Sequence, residues 1–266
     1  MSSETERRGD QAESLRGGAV AVRECTTVEE FDACVQLQRE AFGLPELELS
    51  PRRHLIVSRG AGGWVLGAFD GPRLVGFVLH LVAVYGGEVG GYSHMMAVAK
   101  EFQNRGVGSR LKWAQRERAA AEGRARIKWT FDPVQARNAH FNLNRLGVVV
   151  RRYEENFYGT DYSTATGEFG RPLGLDSDRL VAEWDLRSPR VERLARGETP
   201  DGRRDAEATV EIPPDWGALL RTEPDAARRE LLRVRGEFQA ALARGLVCAA
   251  FERDPPRPRY LFFGES

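Results

Sequence analysis

The chain contains 266 residues, of which 41% are hydrophobic and 29% are charged. This composition is typical of a folded globular protein and excludes a wholly disordered one. The 39 basic and 39 acidic side chains give a formal net charge of zero, so the charge balance favours neither a nucleic acid nor an anionic membrane as partner. The length suffices for one large domain or two small ones.

The cysteines and the N-terminal residues indicate the compartment. Cys25, Cys34 and Cys248 show neither metal-ligand spacing nor the pairs of a disulfide framework, so we expect small core residues in a reducing cytoplasm. Residues 1–17 contain no apolar segment of the kind that directs export, and no apolar run in the chain approaches the length of a membrane span. We expect a disordered tail over residues 1–17.

The first part of the chain predicts a strand, two helices and a hairpin. "GGAVAVREC" has the composition of a strand, and Thr27 with Glu30 forms a candidate capping box for a helix that ends at Gly43. A shorter helix is expected after Pro51. The turn "DGP" at residues 70–72 then joins two strand-like runs and predicts a hairpin.

The middle of the chain alternates strands with helices. "GGYSHMMAV" predicts a strand that leads through a glycine-containing loop into a helix over residues 107–122. "ARIKWTF" alternates apolar and polar residues as a strand does, "VQARNAHFNLNRLG" predicts a short helix ending at Gly147, and "VVVRRYEENFYG" predicts another strand. Four positions form a predicted apolar stripe on the helix over residues 107–122: Val107, Leu111, Ala114 and Ala121.

The C-terminal part predicts a further α/β unit. A loop is expected over residues 160–175, followed by a strand in "DRLVAEWDL" and by a charged linker in "RSPRVERLARGETPDGRRD". "ATVEI", "LVCAAFE" and "RYLFF" predict strands, and the helix between them places four apolar residues at helical spacing: Leu231, Val234, Phe238 and Ala241. We therefore predict an α+β fold with a mixed sheet, divided into residues 18–187 and a C-terminal α/β extension over residues 188–266.

The loop after "GGYSHMMAV" is a candidate phosphate site. A helix start leaves its first backbone N–H groups unpaired, and glycines such as Gly106 and Gly108 let a phosphate approach the main chain closely. The loop lacks the G-x-G-x-x-G pattern of dinucleotide-binding folds and the Lys-Ser/Thr pair of a Walker loop. A nicotinamide cofactor and ATP are therefore not its expected ligands.

At "QNRGVG" the sequence resembles the GCN5-related N-acetyltransferases (the GNAT superfamily), whose motif is Q/R-x-x-G-x-G/A. The order of strands and helices around this stretch is similar to that of the family over residues 19–159. The resemblance implies a central, mostly antiparallel twisted sheet flanked by helices, and it implies acyl-coenzyme A (acyl-CoA) as the cofactor. "RNAHFNLNRLG", "NFYG" and "DRLVAEW" resemble a bacterial branch of the superfamily whose members carry a C-terminal extension.

The resemblance also implies a set of cofactor-binding positions. Amides at the end of the strand would bond the pantetheine arm and the thioester oxygen, amides of the loop would hold the pyrophosphate, and a later helix would lie beside the pantetheine. These positions are Met96, Ala97, Val98, Gln103, Asn104, Arg105, Gly106, Val107, Gly108, Ser109, Asn138 and Phe141. No metal is expected, because the histidines and cysteines lack zinc spacing.

The general acid of the resembled family has no counterpart at its usual position. Many relatives carry a tyrosine four residues before the glycine of "LG", where this chain has Leu143. Tyr153 and Tyr158 are the alternative candidates, although aromatic residues on a strand also serve as core or rim. The thiolate can also leave without a dedicated acid, because the pKa of a thiol is near 8.5.

The candidate general base lies in the strand before the loop. Strand periodicity predicts that Tyr92, His94 and Met96 share one face. Tyr92 occupies the position where the histone-modifying members carry a catalytic glutamate, and His94 has a side chain that titrates near neutrality. We take His94 as the first candidate for the base, with Glu88 as a weaker one. The alternative is a half-buried histidine bonded to a neighbouring carbonyl.

The expected activity is transfer of an acetyl group from acetyl-CoA to a primary amine of a small metabolite or amino acid, by direct attack on the thioester. Two alternatives remain at this point: a succinyl-CoA-dependent amino-acid N-succinyltransferase, and a non-catalytic acyl-CoA-binding sensor or scaffold. The C-terminal extension either lines one side of the acceptor site or forms a homodimer contact. No nucleic acid and no membrane is expected as partner.

Overall fold

The computed structural model describes residues 20–43, 46–160, 174–198, 205–253 and 256–264. The predicted tail over residues 1–17 and most of the predicted loop over residues 160–175 lie outside these residues. None of the helices in the described ranges has both the length and the apolar composition that crossing a membrane requires.

Ten strands form one sheet in the order β1-β2-β3-β4-β5-β7-β6-β9-β10-β8. All neighbouring strands are antiparallel except β4 and β5, which are parallel. The strands are β1 Ala21–Glu24, β2 Trp64–Asp70, β3 Arg73–Tyr85, β4 Glu88–Val98, β5 Arg126–Phe131, β6 Val149–Glu154, β7 Arg179–Asp185, β8 Ala208–Glu211, β9 Leu246–Glu252 and β10 Arg259–Gly264.

Seven α-helices flank the sheet in the described ranges, and a π-helical turn over Phe141–Arg145 continues the fourth. The helices are α1 Val28–Phe42, α2 Arg52–Gly60, α3 Val107–Ala121, α4 Ala136–His140, α5 Pro189–Ala195, α6 Trp216–Thr222 and α7 Pro224–Ala243. The predicted fold class, a mixed and mostly antiparallel sheet flanked by helices, is confirmed.

The helix α1 has the ends that its sequence predicts. Thr27 Oγ1 accepts a hydrogen bond from the amide of Glu30 at 3.3 Å, and the Glu30 carboxylate accepts one from the amide of Thr27 at 3.2 Å. Gly43 ends the helix in the left-handed conformation with φ 60°. The helix packs Phe31 and Cys34 onto one face of strands β2 to β4. Cys34 is therefore a core residue, as predicted.

The opposite face of the sheet packs against α3. Ile127, Trp129 and Phe131 of β5 all point into this core, as their alternation predicts. The predicted stripe of α3 is only partly right, because Ala121 is exposed at the helix end while Ala119 is buried. Two polar residues of α3, Lys112 and Gln115, are buried between the helix and the sheet.

The C-terminal strands extend the same sheet, because β9 pairs with β6 at Cys248 and Val150. The four predicted apolar positions of α7 are all buried. The predicted linker is wrong over residues 189–195, which form α5, with Ser188 capping its first turn. Its high charge concealed the apolar contact of Val191, which is fully buried. A division of the chain at residue 188 stays a prediction.

Gly91 in β4 is a position where the fold tolerates no side chain. A Cβ atom there would lie 2.1 Å from Cε1 of His80. The imidazole cannot move aside easily, because it stacks on Trp64 at 4.0 Å and is enclosed by Gln115 and Arg124. Gly91 therefore permits β4 to lie over a buried histidine.

We expect Gly91→Ala to lower the free energy of unfolding by about 1–3 kcal/mol, because overpacking must displace the His80 ring. Chemical denaturation of the purified variant measures this. Gly60→Ala is the matched control, because no atom lies within 4 Å of the added Cβ, and it should leave stability unchanged or slightly raised. Equal stability of the two variants would contradict the packing described for His80.

Candidate active site

Strands β4 and β5 diverge shortly after they meet. Their register contains two pairs in the described chain, Gly91 with Ile127 and Tyr92 with Lys128. Beyond these pairs β4 continues to Val98 and β5 continues to Phe131. The facing edges therefore leave an opening, which we call the β4–β5 gap.

Main-chain groups of β4 face the β4–β5 gap at alternate residues. The amide of Ala99 donates to the carbonyl of Val75 at 2.9 Å, which directs this residue toward β3. Because antiparallel strands alternate their bonding edges, Ala97 also turns toward β3, while Met96 and Val98 turn toward the gap. The amides of Met96, Ala97 and Val98 were all predicted to bind the cofactor. The amide of Ala97 is directed away from the gap.

A β-bulge at His94 changes the facing of the residues around it. Leu79 pairs with Met95 and His80 pairs with Ser93, so His94 has no partner on β3. The prediction that Tyr92, His94 and Met96 share a face is therefore wrong for Met96, which packs in the core on the α3 side. Strand periodicity could not reveal this because the bulge adds one residue to the alternation.

The glycine loop joins β4 to α3 and leaves the helix start open. Asn104 and Gly106 adopt left-handed conformations, with φ 61° and 79°. Gly106 is the N-cap residue and no side chain in the described ranges caps the helix. Backbone hydrogen bonds are found at the two ends of the loop. The amide of Gln103 donates to the carbonyl of Lys100, and the amide of Arg110 donates to the carbonyl of Gly106. The first amides of α3 are therefore available to an anion.

Gln103 ties the glycine loop to both sides of the β4–β5 gap. Its Nε2 donates to the carbonyl of Val98 at 3.1 Å, and its Oε1 accepts from Nη1 of Arg137 at 3.3 Å. Gly108 lies beside the strand, where an added Cβ atom would make an ordinary contact with Met96 Cε at 3.5 Å. Arg137 was missed by the sequence reasoning, because nothing in the motif places α4 beside the loop.

The other predicted positions differ in how far they are buried. Val107 is buried at the helix start, while Arg105 is exposed, with its guanidinium 5.6 Å from the Phe102 ring centroid. Asn138 is exposed on α4, and Phe141 is half-buried where the π-helical turn begins. Ser109 is half-buried in the first turn of α3. Leu143 is fully buried.

His94 lies on the other face of β4, in a polar cluster with α2 and the segment before it. Its Nε2 is 3.3 Å from the hydroxyl of Ser50, and its ring centroid is 5.8 Å from that of His54. Gln38 of α1 fixes Ser50 by bonding both its amide, at 2.8 Å, and its carbonyl, at 3.1 Å. Burial, followed by the charge of His54, lowers the pKa of His94. The imidazole is therefore neutral and able to accept a proton near neutral pH.

Tyr92 and Tyr158 lie near one another, whereas Tyr153 does not join them. The Tyr92 ring is 6.5 Å from that of His94. The pKa of Tyr92 is raised by burial, and a hydrogen bond with Thr130 offsets part of that rise. The Tyr158 hydroxyl is 3.5 Å from Thr130 Oγ1, so Thr130 links the two tyrosines. Glu88 is exposed at the start of β4, far along the strand from the gap.

Tyr153 contacts residues of the C-terminal half of the chain. Its hydroxyl donates to Asp178 Oδ2 at 2.5 Å, and its ring packs against Phe238. Burial, followed by the charge of Asp178, raises the pKa of Tyr153 well above its usual value. A tyrosine in this environment is a poor proton donor, whereas Tyr158 is 44% exposed.

A cavity of about 850 Å³ lies at the far end of α3 from the glycine loop. Its charged side chains already pair with one another: Arg59 with Glu24 at 3.0 Å, and Arg124 with Glu122 at 2.8 Å. Arg118 contacts Glu24 as well and lies over the ring of Trp64. The main-chain donors and the half-buried histidine are at the other end, so we place the functional site at the gap.

Part of the chain matches a known protein family. Residues 31–147 match the family described as the acetyltransferase (GNAT) family. No sequence among the curated proteins matches the chain.

Two solved structures have the same fold. The ribosomal-protein-S18-alanine N-acetyltransferase of Escherichia coli is 13% identical, with a TM-score of 0.50, over 63% of this chain and 94% of that one. A protein described as a GNAT-family acetyltransferase from Desulfovibrio desulfuricans is 15% identical, with a TM-score of 0.51, over 63% of this chain and 99% of that one. Residues 31–147 therefore match the GNAT family in sequence, and the chain shares the fold of these two acetyltransferases.

Proposed function

We propose that the protein transfers the acetyl group of acetyl-CoA to a primary amine of a small metabolite or amino acid. The observation that carries this proposal is the β4–β5 gap, whose edge offers the main-chain groups of Met96 and Val98 and which opens beside an uncapped helix start. A long ligand with a diphosphate at one end and an amide-containing arm at the other matches this arrangement of donors.

The diphosphate of the donor binds at the start of α3. Free N–H groups and the positive end of the helix dipole favour an anion there. Gly106 contributes no side chain that would obstruct the approach, and Gln103 and Arg137 brace the loop from the strand and from α4. The pantetheine arm then lies along the unpaired edge of β4, where it completes the hydrogen bonds that β5 does not make.

His94 serves as the base that takes a proton from the attacking ammonium, directly or through water. Burial keeps the imidazole neutral, and the Ser50 hydroxyl fixes the ring through Nε2. The other ring nitrogen, Nδ1, then accepts the proton of the ammonium. Tyr92 lies beside it, and its ring forms part of the wall against which the amine binds.

No acid at position 143 assists the leaving thiolate, because Leu143 is apolar and fully buried. A thiol with a pKa near 8.5 leaves as the thiolate at little cost near neutral pH. Tyr158 is the candidate for a later proton donor, since it is exposed and linked through Thr130 to Tyr92. The same lack of an acid favours the second candidate function, a non-catalytic sensor that binds acyl-CoA.

Thiol release distinguishes the two functions. We expect the protein, mixed with acetyl-CoA and a panel of amino acids and polyamines, to release coenzyme A thiol in an amine-dependent manner. Succinyl-CoA in a parallel series tests the alternative donor, which would need a cation to bind its free carboxylate. Binding of acyl-CoA without amine-dependent release across the panel would contradict catalysis and support the sensor.

We expect Gly106→Val to lower the affinity for coenzyme A by more than about tenfold, measured by calorimetry. The side chain would force a residue with φ 79° out of its conformation and cover the amides of the helix start. Gly123→Val is the matched control at the other end of α3, because Gly123 also has φ 79° and open space around its Cβ. Equal losses of affinity in the two variants would count against the phosphate site.

We expect His94→Gln to lower kcat by about 10²–10⁴-fold while the affinity for coenzyme A changes little, because only proton transfer is removed. Steady-state kinetics and calorimetry measure the two quantities. In the wild type, the acid limb of kcat/KM should lie below the ordinary histidine value of about 6.5, because the pKa of His94 is lowered.

His54→Gln provides the control on this assignment. It removes the second cause of the lowered pKa of His94, so the acid limb should move to higher pH. Turnover of His94→Gln at the wild-type rate, or an acid limb that does not respond to His54→Gln, would show that another group is the base.

A further inference from the structure

A chain of buried polar side chains runs beneath β4 on the α3 side. Arg124 Nη1 is 2.6 Å from Nε2 of His80, whose Nδ1 is 3.2 Å from the side-chain amide of Gln115. The amide of Gln115 is 2.8 Å from Lys112 Nζ, which is 3.0 Å from the hydroxyl of Ser93. All five residues are buried. The proposed acetyl transfer uses none of them.

The order of donors and acceptors in this chain determines the protonation of Lys112. The Arg124 guanidinium can only donate, so Nε2 of His80 must accept and the hydrogen of the neutral ring must be on Nδ1. In the structure Gln115 directs Oε1 to Lys112 and Nε2 to Nδ1 of His80. That orientation leaves no acceptor for the hydrogen on Nδ1, so the amide must be turned by half a rotation, with its oxygen toward Nδ1–H and its NH₂ toward Lys112. An ammonium cannot accept from NH₂. The network closes when Lys112 is a neutral amine.

The surroundings of Lys112 favour the neutral amine as well. Its Nζ lies 3.5 Å from the ring centroid of Trp129 on β5 and 5.4 Å from that of Trp184 on β7. The groups facing it are Ser93 on β4 and Gln115 on its own helix, with His80 on β3 behind the glutamine, and none of these is acidic. Burial lowers the pKa of Lys112 well below its usual value.

Lys112 lies where the β4–β5 gap begins. Ser93 and Trp129 directly follow the last paired residues, Tyr92 and Lys128, and both contact the Nζ of Lys112. The amine is therefore at the floor of the opening, on the α3 side, while His94 faces the opposite side of β4. An acyl group in the gap would lie between the two.

We propose that Lys112 is a self-acylation site, at which the protein transfers an acyl group from its own bound donor to Nζ. This inference rests on the proposed function, because it requires acyl-CoA in the β4–β5 gap. The Nζ lone pair attacks the thioester carbonyl carbon, so that a C–N bond forms and the C–S bond breaks. The amine loses one proton to the departing thiolate, giving an amide on Lys112 and coenzyme A as the thiol.

The test is incubation of the full chain with acetyl-CoA and no amine, followed by intact-mass measurement and peptide mapping. Lys100, Lys112 and Lys128 are the three lysines of the sequence, so the map is unambiguous. We expect one acetyl group per chain on Lys112 in the wild type and in the Lys100→Arg and Lys128→Arg controls, and none in Lys112→Met. Between pH 7 and 9 the modification rate should rise less steeply than that of an ordinary lysine, which reacts about tenfold faster per pH unit.

A parallel measurement of the melting temperature with and without coenzyme A separates this inference from the proposed function. A raised Tm without acetylation of Lys112 in the wild type would overturn the self-acylation site and leave the acetyl-CoA site standing. Acetylation confined to Lys100, Lys128 or the N-terminus would overturn it equally. An unchanged Tm without any acetylation would overturn both.

Discussion

The site depends on the divergence of β4 and β5 after two paired residues. An unpaired strand edge inside a sheet carries main-chain donors and acceptors that must be satisfied by something. Gln103 satisfies one of them, the carbonyl of Val98, and the bulge at His94 turns the neighbouring residues away from regular pairing. The remaining edge, continuous with the uncapped start of α3, is suited to a ligand that supplies its own amides and phosphates.

The bulge also gives two adjacent residues of β4 separate environments. His94 faces α2, where Ser50 and the ring of His54 surround it. Ser93 faces α3, where Lys112 bonds its hydroxyl. A proton-accepting imidazole and a buried amine thus lie on opposite sides of one strand, at the point where the β4–β5 gap begins.

The elements after residue 188 support the segment that follows β5. Tyr260 of β10 donates its hydroxyl hydrogen to the carbonyl of Pro133 at 2.8 Å. Asn144 in the π-helical turn exchanges two hydrogen bonds with the main chain of Phe251 in β9, at 3.0 and 2.9 Å. Arg190 of α5 bonds the carbonyl of Leu143 at 2.7 Å. These contacts hold α4 and its π-helical turn beside the gap, and with them Arg137.

Local features of the site could be predicted from the sequence, and features that depend on distant contacts could not. The capping box of Thr27 and Glu30 and the glycine loop are short-range patterns, and both have the predicted form. The turning of Met96 follows from a bulge created by pairing with β3, and the bond of Arg137 to Gln103 follows from the placement of α4. Neither feature produces a periodic pattern of apolar and polar residues in the sequence.

Burial of Lys112 was equally hidden, because a lysine in an arginine-rich helix has the pattern of a solvated face. Its partners Ser93 and Trp129 come from two different strands, β4 and β5, and they meet at Lys112 only when the sheet is assembled. The helix α5 could not be predicted because its sequence is mostly charged. A single buried side chain, Val191, attaches it to the core.

Amide hydrogen exchange of the full chain with and without coenzyme A tests the central claim most directly, because the claim concerns main-chain N–H groups. The account predicts slower exchange at residues 104–109 and at Met96 and Val98 when coenzyme A is present. Unchanged exchange at those amides, with slower exchange elsewhere such as around the cavity lined by Arg59 and Trp64, would contradict it.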